Sequence, residues 1–327
     1  MSRYTREKVL VTVGKLGSIV KAAAELGISQ PSVSSILKKL ENEIGGPVFY
    51  HGERPIVLTP LGKLLATQYV KILELDRQTK GFVASFNQGI YPELRIGAVS
   101  SFFTNINPYY LPDLLTQAER ISTREGDSGR IAELLLANQL DFAIINTNLP
   151  NESEIITHKL LTEDYLLALP SQLYNPGKNH VSDYFEQLQN MPVVFSGSNS
   201  YDNLNARRIL NSLGFCLKKV MEIECYSTIC QMVSSGVCWA LLTPFSLRIG
   251  RDFTKHIKLI PFDHTNANRS FYLCYKPWMN QLFEKRLFDL LANAILRRFL
   301  PTLRKQAPIL VPHIHVGDLL TKRIVEN

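Results

Sequence analysis

From Ser18 to Gly62 the chain reads SIVKAAAELGISQPSVSSILKKLENEIGGPVFYHGERPIVLTPLG, and the order of its turn and apolar signals admits few folds. Ser18 and Ser29 each stand where a side-chain oxygen can accept from the free amides of a helix's first turn, and Gly27 lies between the two helices as a tight turn requires. Ala22, Ala23 and Leu26 give the first helix a face small enough for a second helix to cross closely. The spacing predicts that second helix over about residues 30–44, with Val33, Leu37, Leu40 and Ile44 recurring on one side and Ser32, Ser35, Lys38 and Lys39 away from it. A short wing and the start of a further helix follow. The whole reads as a helix-turn-helix with one face to bury and one to present.

The presented face carries chemistry suited to nucleic acid. Gln30 can make paired hydrogen bonds to an adenine edge, serines can bond bases or phosphates, and Lys38 and Lys39 suit the backbone. Residues 1–88 hold twelve Lys/Arg against seven Asp/Glu, five of the chain's net +7, whereas residues 89–300 hold twenty of each. The basic excess is therefore local, and phosphate neutralisation supplies much of any DNA affinity.

These residues also carry a resemblance. AAAELGISQPSVSSILKKLENEIGGPVF followed by VLTPLG resembles the N-terminal signature of the LysR-type transcriptional regulators: paired alanines, SQPSVS at the recognition helix, LE near its end, a short wing, and the LT-x-x-G that opens a linker helix. The resemblance implies that Gln30, Pro31, Ser32, Ser34, Ser35 and Lys38 lie on the DNA-facing part of the recognition helix, and that Arg54 lies where the wing reaches the minor groove. The position after the second serine is often arginine in that family and is Ser35 here, a departure that bears on base preference. The partners so implied are a double-stranded DNA operator, a small-molecule effector, a second copy of the chain, and RNA polymerase.

Thr59 and Pro60 supply a cap and a favourable first helical residue, and no further proline occurs before about Phe86. Some 27 residues at 1.5 Å each give a helix of about 40 Å, too long for a small domain. Leu61, Leu65, Ile72, Leu75, Phe82 and Phe86 approximate a coiled-coil seam, interrupted by Gln68 and Thr79. LysR-type proteins pair through this element, so the resemblance implies a homo-oligomer, dimer or tetramer, that matches a two-fold operator. Asn87, Gln88 and Gly89 read as a hinge.

From about Leu94 short apolar strands alternate with helical patterns, as in an α/β sheet. LRIGAV, the run near Ile121, FAIIN, the LLTEDYLLAL region, PVVF, KKVMEIE, WALLT and RSFYLCY are the candidate strands; helices are expected after Ser100 and Ser128 and over residues 203–213, 227–235 and 279–299. The resemblance extends here through REGDSGRIAELLLANQLDFAII and STICQMVSSGVCWALLTP. It implies two Rossmann-like subdomains joined by crossing strands, like periplasmic binding proteins, with the effector in the cleft. The expected fold class is thus α/β: an all-α winged helix-turn-helix (residues 1–59), a linker helix (60–88), a two-subdomain effector domain (89–300) and a C-terminal tail (301–327).

Local chemistry supports that cleft. Ser100 and Ser101 end one strand and open a helix, Ser128 stands at a second such junction, and Ser196, Ser198 and Asn199 follow a strand at a third. Three junctions facing one cleft would make a polar pocket of positive bias with no catalytic base, and Ser100, Ser101, Ser128, Ser196 and Ser198 are the candidate effector ligands. A small polar, anionic metabolite is expected there, favoured only weakly because Asp127 adds a negative charge nearby.

Other classes fit less well. No apolar run reaches bilayer length, and Arg3, Arg6, Glu7 and Lys8 interrupt the N-terminus where a signal core would sit, so a cytoplasmic location without a membrane partner is expected and a solute-binding protein disfavoured. Five cysteines without CxxC spacing suggest reduced thiols. Some LysR-type regulators sense peroxide through a cysteine pair, but the corresponding segment here, about residues 195–208, has none, and Cys216, Cys225, Cys230, Cys238 and Cys274 read as buried small apolar residues. His313 and His315 lack ligand-spaced neighbours for a metal. FSGSNS is not a GxSxG nucleophile elbow, and no GxxxxGK, HExxH or paired-carboxylate motif stands out, so no catalytic residue, cofactor or metal is expected.

Overall fold

Helix termination and close approach organise the N-terminal unit in the computed structural model, which describes residues 6–50, 52, 55–88, 91–147, 155–197, 200–262, 267–277, 279, 281–318 and 320–321. Three helices form first: α1 (Arg6–Leu16), α2 (Ile19–Leu26) and α3 (Gln30–Ile44). Ser18 Oγ accepts from the Lys21 amide at 3.3 Å, and Gly27 ends α2 in the left-handed conformation at φ 66°. Ser29 Oγ accepts from the Ser32 amide at 3.3 Å, Pro31 occupies the first turn of α3, and Gly45 ends it at φ 73°. These caps fix which side of each helix is buried. Val9, Leu10 and Val13 of α1 pack with Ala22, Ala23, Leu26, Val33, Leu37 and Leu40, the alanines permitting a close crossing.

The wing and the long helix are locked together by the threonine and glycine of LTPLG. Phe49 bridges Leu58, and the Tyr50 amide donates to the Val57 carbonyl at 3.0 Å. Thr59 Oγ1 donates to the Pro47 carbonyl at 2.8 Å and accepts from the Gly62 amide at 3.0 Å, capping α4 (Pro60–Gln88). A Cβ on Gly62 would lie 2.0 Å from the Val48 carbonyl oxygen, so only glycine fits. Glu41 Oε1 accepts from the Val48 amide at 2.9 Å, which ties the end of α3 to the same place.

At 29 residues, α4 is roughly 43 Å long. Its exposed apolar residues are Leu61, Leu64, Ile72, Leu75 and Val83. Leu65, expected on this seam, packs with Tyr69 against the helix-turn-helix core instead, because the two lie one turn apart on the inward face. The side chains of Phe82 and Phe86 lie outside the described ones. Asn87 and Gln88, expected as a hinge, form the last turn of α4, and Gly89 lies outside the described residues.

The second unit holds two sheets. The first contains β1 (Leu94–Val99), β2 (Ile121–Gly126), β3 (Phe142–Ile145), β4 (Ile156–Asp164), β10 (Asn268–Tyr275) and β11 (Ile314–Val316), in the order β11-β4-β10-β3-β1-β2. The second contains β5 (Leu166–Pro170), β6 (Val193–Ser196), β7 (Val220–Ile223), β8 (Trp239–Leu242) and β9 (Ile257–Pro261), in the order β7-β6-β8-β5-β9. In each, a parallel trio occupies one edge, β3-β1-β2 in the first sheet and β7-β6-β8 in the second, and the remaining strands continue from it antiparallel. Helices α5 (Ser100–Leu114), α6 (Ser128–Leu136), α7 (Phe185–Leu188), α8 (Tyr201–Ser212), α9 (Tyr226–Ser234), α10 (Pro244–Ile249) and α11 (Gln281–Ala292) cover the sheets. The chain passes from the first sheet to the second where β4 meets β5, and returns where β9 leads to β10. These are the two crossing strands of a bilobal α/β domain.

Two strands escape the sequence pattern. β9 alternates too weakly to stand out, with exposed Lys258 and Pro261, and β11 is only three residues long. The effector domain closes with the π-helix Asn293–Phe299, and the expected tail folds as α12 (Leu300–Gln306) and β11, which pairs with β4 from Ile314 opposite Glu163 to Val316 opposite Leu161. His313 Nδ1 and His315 Nε2 both meet Asp164 Oδ2, at 3.3 and 3.0 Å. Cys230, Cys238 and Cys274 are buried as expected, and burial pushes their thiols up to about 12, 11 and 11; Cys216 and Cys225 are exposed, which corrects the expectation that all five are buried. Among the described residues, no helix is long and apolar enough to cross a membrane.

Replacing Gly62 with alanine should cost about 1–3 kcal/mol by forcing the wing from the start of α4. Hydrogen exchange over residues 6–50 reads this directly, and unchanged protection would show that the backbone gives way freely.

Candidate nucleic-acid interface and ligand cleft

The amphipathic division of α3 creates the first site. Val33, Leu37 and Leu40 are buried, while Gln30, Pro31, Ser32, Ser34, Ser35, Lys38 and Lys39 are all exposed on the rest of the helix. Ser32 is partly committed to the cap, since its hydroxyl lies 2.8 Å from Ser29 Oγ. Gln30, at the very start of the helix, is the exposed amide able to make a paired contact with one base. Arg54, expected in the wing, lies outside the described residues.

The second site is a cavity of about 410 Å³ between the two sheets. It gathers the strand-to-helix junctions that the sequence singles out: Ser100 and Ser101 at β1–α5, Ser128 at β2–α6, and Ser196 at the end of β6. Ser198 lies outside the described residues. The side chain that caps α8 is Ser200, which accepts from the Asn203 amide at 3.1 Å and donates to the Ser196 carbonyl. Ser128 is buried, and its hydroxyl is tied to the amide and side chain of Asn146 just beyond β3.

Sequence reasoning missed the fourth junction, β7–α9, which brings Glu224 and Tyr226 into the cavity. Its serine, Ser227, sits one residue inside α9, donates to the Ile249 carbonyl at 3.3 Å and does not line the cavity. Charge is the larger correction. Asp127, Asp202 and Glu224 line the cavity against Arg130, so its side chains oppose the positive bias expected from helix N-termini alone. Asp127 Oδ1 also accepts from the Arg130 amide at 3.0 Å, occupying the first turn of α6. The first turn of α5 has no side-chain cap and leaves its amides for a ligand.

Behind the cavity lies a buried ionic cluster on the crossing strands. Arg269 of β10 donates to Glu163 of β4 through Nε at 2.7 Å and Nη2 at 2.5 Å, and through Nη1 to Asp202 in the first turn of α8. The side chains of Arg269 and Glu163 are fully buried. Glu163 accepts further from the Phe245 amide at 2.8 Å, and Arg269 donates to Thr243 Oγ1 at 2.8 Å. Burial pushes the Glu163 carboxyl above its ordinary range, against the pull of Arg269 and the Phe245 amide. Burial works against the Arg269 charge too, but Asp202 and Glu163 raise it well above its usual value. Asp202 accepts in addition from Tyr226 at 2.6 Å, Tyr165 at 3.2 Å and Asn146 at 2.9 Å, so one carboxylate joins both lobes to the cavity wall. Burial raises both phenols, and the Asp202 charge adds to the rise.

Comparison with known proteins agrees with this architecture. Residues 6–63 match the family described as "Bacterial regulatory helix-turn-helix protein, lysR family", and residues 87–294 match the "LysR substrate binding domain". The chain is 25% identical over 292 residues to the transcriptional regulator CysL of Bacillus subtilis, covering 87% of this chain and 95% of CysL. It is 27% identical over 241 residues to GltR of the same organism, covering 72% and 77% of the two chains. Among solved structures, full-length OxyR from Pseudomonas aeruginosa superposes with a TM-score of 0.66 at 22% identity, covering 90% of this chain and 95% of that one. CbnR in complex with its target DNA gives 0.58 at 18% identity, covering 92% and 99%. These structural likenesses show the fold.

Proposed function

Because the chain belongs to the LysR family of DNA-binding transcriptional regulators, which carry an effector-binding domain and are not enzymes, we propose that it recognises a partly palindromic operator through α3 and is switched by a small polar metabolite. The observation that carries this reading is α3 itself, whose buried stripe of Val33, Leu37 and Leu40 holds Gln30, Ser34, Ser35 and Lys38 out to solvent. In this reading Gln30, Pro31, Ser32, Ser34, Ser35 and Lys38 face the major groove and Arg54 the minor groove. Residues 1–59 bind DNA, 60–88 pair two copies, 89–300 bind the effector and 301–327 form an added tail. CbnR was solved on its target DNA, which supports the first of these roles by analogy.

Pairing is supported by the exposed stripe on α4. Leu61, Ile72 and Val83 recur every eleven residues, with Leu64 and Leu75 between them at the same spacing. An eleven-residue repeat keeps a stripe on one side of helices that wind about each other with a slight right-handed supercoil, as a second copy would need. A homodimer, or a tetramer built from two, then presents two copies of α3 to a two-fold site. The working place is the cytoplasm, and RNA polymerase is the partner through which binding alters transcription.

The effector is an anionic metabolite seated between the lobes at Ser100, Ser101, Ser128, Ser196 and Ser198. Its negative group meets the uncapped amides of α5, and donors elsewhere on it meet Asp127 and Glu224. Binding acts by preferring one arrangement of the lobes, and linkage then requires the operator affinity or bend to change.

Gln30→Ala should cost about 1–3 kcal/mol on the operator and relax base preference, whereas Lys38→Ala should weaken all duplexes alike and lower the salt slope by about one. Equal losses on operator and random duplex for Gln30→Ala would remove base readout from the account. Leu64→Glu with Leu75→Glu should lower native mass in light scattering together with operator affinity; a wild-type mass of one chain at micromolar concentration would dispose of the pairing.

A further inference from the structure

Among the described residues, four helices start at the cleft, and their first turns are not equivalent. Asp127 Oδ1 caps α6 through the Arg130 amide, Ser200 caps α8, and Asp202 adds a carboxylate to the first turn of α8. Glu224 stands two residues ahead of α9, where its charge opposes an incoming anion. Of the four, α5 alone has no side-chain cap, no acidic residue in its first turn and no carboxylate just ahead of it. Inside that turn Ser101 is 2% exposed and lines the cavity, and its hydroxyl has no protein partner among the described residues. A negative group is therefore directed to this one end of the cleft.

The charges around that end do not balance. Asp202 is engaged by Arg269, which leaves Asp127 and Glu224 against Arg130. Asp127 Oδ2 and both oxygens of Glu224 have no partner among the described residues. The residues between 89 and 300 that lie outside the described ones include no lysine or arginine, so they supply no further fixed cation. A purely anionic ligand would leave both carboxylates uncompensated, whereas a ligand that also carries a cation satisfies them.

Strand register brings the two kinds of charge together. Val99 pairs with Gly126 in the parallel β1–β2 ladder, so Ser100 and Asp127, the next residue of each segment, stand about one strand spacing apart, roughly 4.8 Å. The first turn of α5 and the Asp127 carboxylate are thus neighbours on one lobe. A single carbon bearing a carboxylate and an ammonium spans that gap. Glu224 faces the same space from the β7–α9 junction of the other lobe.

We propose that the cleft takes an α-amino acid, its carboxylate held by the α5 amides and Ser101 and its ammonium set between Asp127 Oδ2 and Glu224. The proposal rests on the reading of the cleft as the effector site, and it gives the anionic group there a cationic neighbour on the same carbon. Because Asp127 and Glu224 belong to different lobes, the ammonium is the group that ties them together, and a ligand lacking it loses its hold on the second lobe.

The full chain is titrated calorimetrically with each of the twenty standard L-amino acids up to 10 mM, then with the 2-hydroxy acid that matches the tightest binder. That second probe keeps the carboxylate and replaces the ammonium with a hydroxyl. At least one amino acid should bind, and its 2-hydroxy counterpart should bind about tenfold more weakly or worse. Asp127→Asn, which retains the helix cap, and Glu224→Gln should each weaken the amino acid about tenfold while leaving the 2-hydroxy acid within about twofold. Ser101→Ala should weaken both probes alike. No binding of any amino acid by 10 mM, equal affinity for the 2-hydroxy acid, or indifference to both carboxamide variants would each overturn the proposal. If the two probes bind equally and Ser101→Ala weakens both, the ammonium site falls and the cleft stands as an effector site. If a bound amino acid ignores Ser101→Ala and both carboxamide variants, the cleft itself is the wrong place.

Discussion

Arg269 is the charge around which the effector domain is arranged. Buried without partners, a guanidinium would be ruinously costly; held by Glu163, Asp202 and Thr243 it becomes a joint between parts that would otherwise move independently. Glu163 sits on β4, Arg269 on β10 and Asp202 on α8, so both crossing strands and a helix of the second lobe meet at one ion cluster. Such a cluster is weak evidence for stability as compared with apolar packing, since desolvation offsets much of the attraction. Its stronger consequence is geometric. Removing Arg269 leaves two carboxylates side by side with no cation between them, and the lobes cannot part at that point without separating buried charges.

The same cluster sets the chemistry of the cleft. Asp202 engages Arg269, Tyr226, Tyr165 and Asn146, and in doing so orders the cleft wall. The cleft keeps the carboxylate of Glu224 and the open amides of α5. Tail strand β11 lies along β4, with Ile314 opposite Glu163, and His313 and His315 meet the neighbouring Asp164. The family match ends at residue 294, so this strand lies beyond the matched span, laid against the strand that carries the hinge carboxylate.

Much of the fold is legible in the sequence where local rules act alone. Ser18, Gly27, Ser29 and Thr59 perform the capping and turning roles their positions suggest, because a cap depends on residues three apart. The strands with strong β-branched runs are equally plain. What the pattern hides is tertiary. Leu65 and Leu64 are chemically identical neighbours, and only the packing of Tyr69 decides which faces the core. The serine junctions at Ser100, Ser128 and Ser196 do converge on one cavity, yet Glu224 and Asp202 arrive there from distant segments, and nothing near them in sequence signals it. Arg269 reads as one more residue in RSFYLCY, since its partners are 106 and 67 positions away.

The buried guanidinium of Arg269 holds the two lobes in register. Arg269→Met keeps the unbranched apolar stem of the side chain and removes its guanidinium, leaving Glu163 buried beside an apolar neighbour. Urea unfolding followed by tryptophan fluorescence, with Trp239 in the core of the second lobe, measures the consequence. A loss of about 3–5 kcal/mol relative to wild type is expected. A loss below about 1 kcal/mol, the scale of an exposed ion pair, would contradict it.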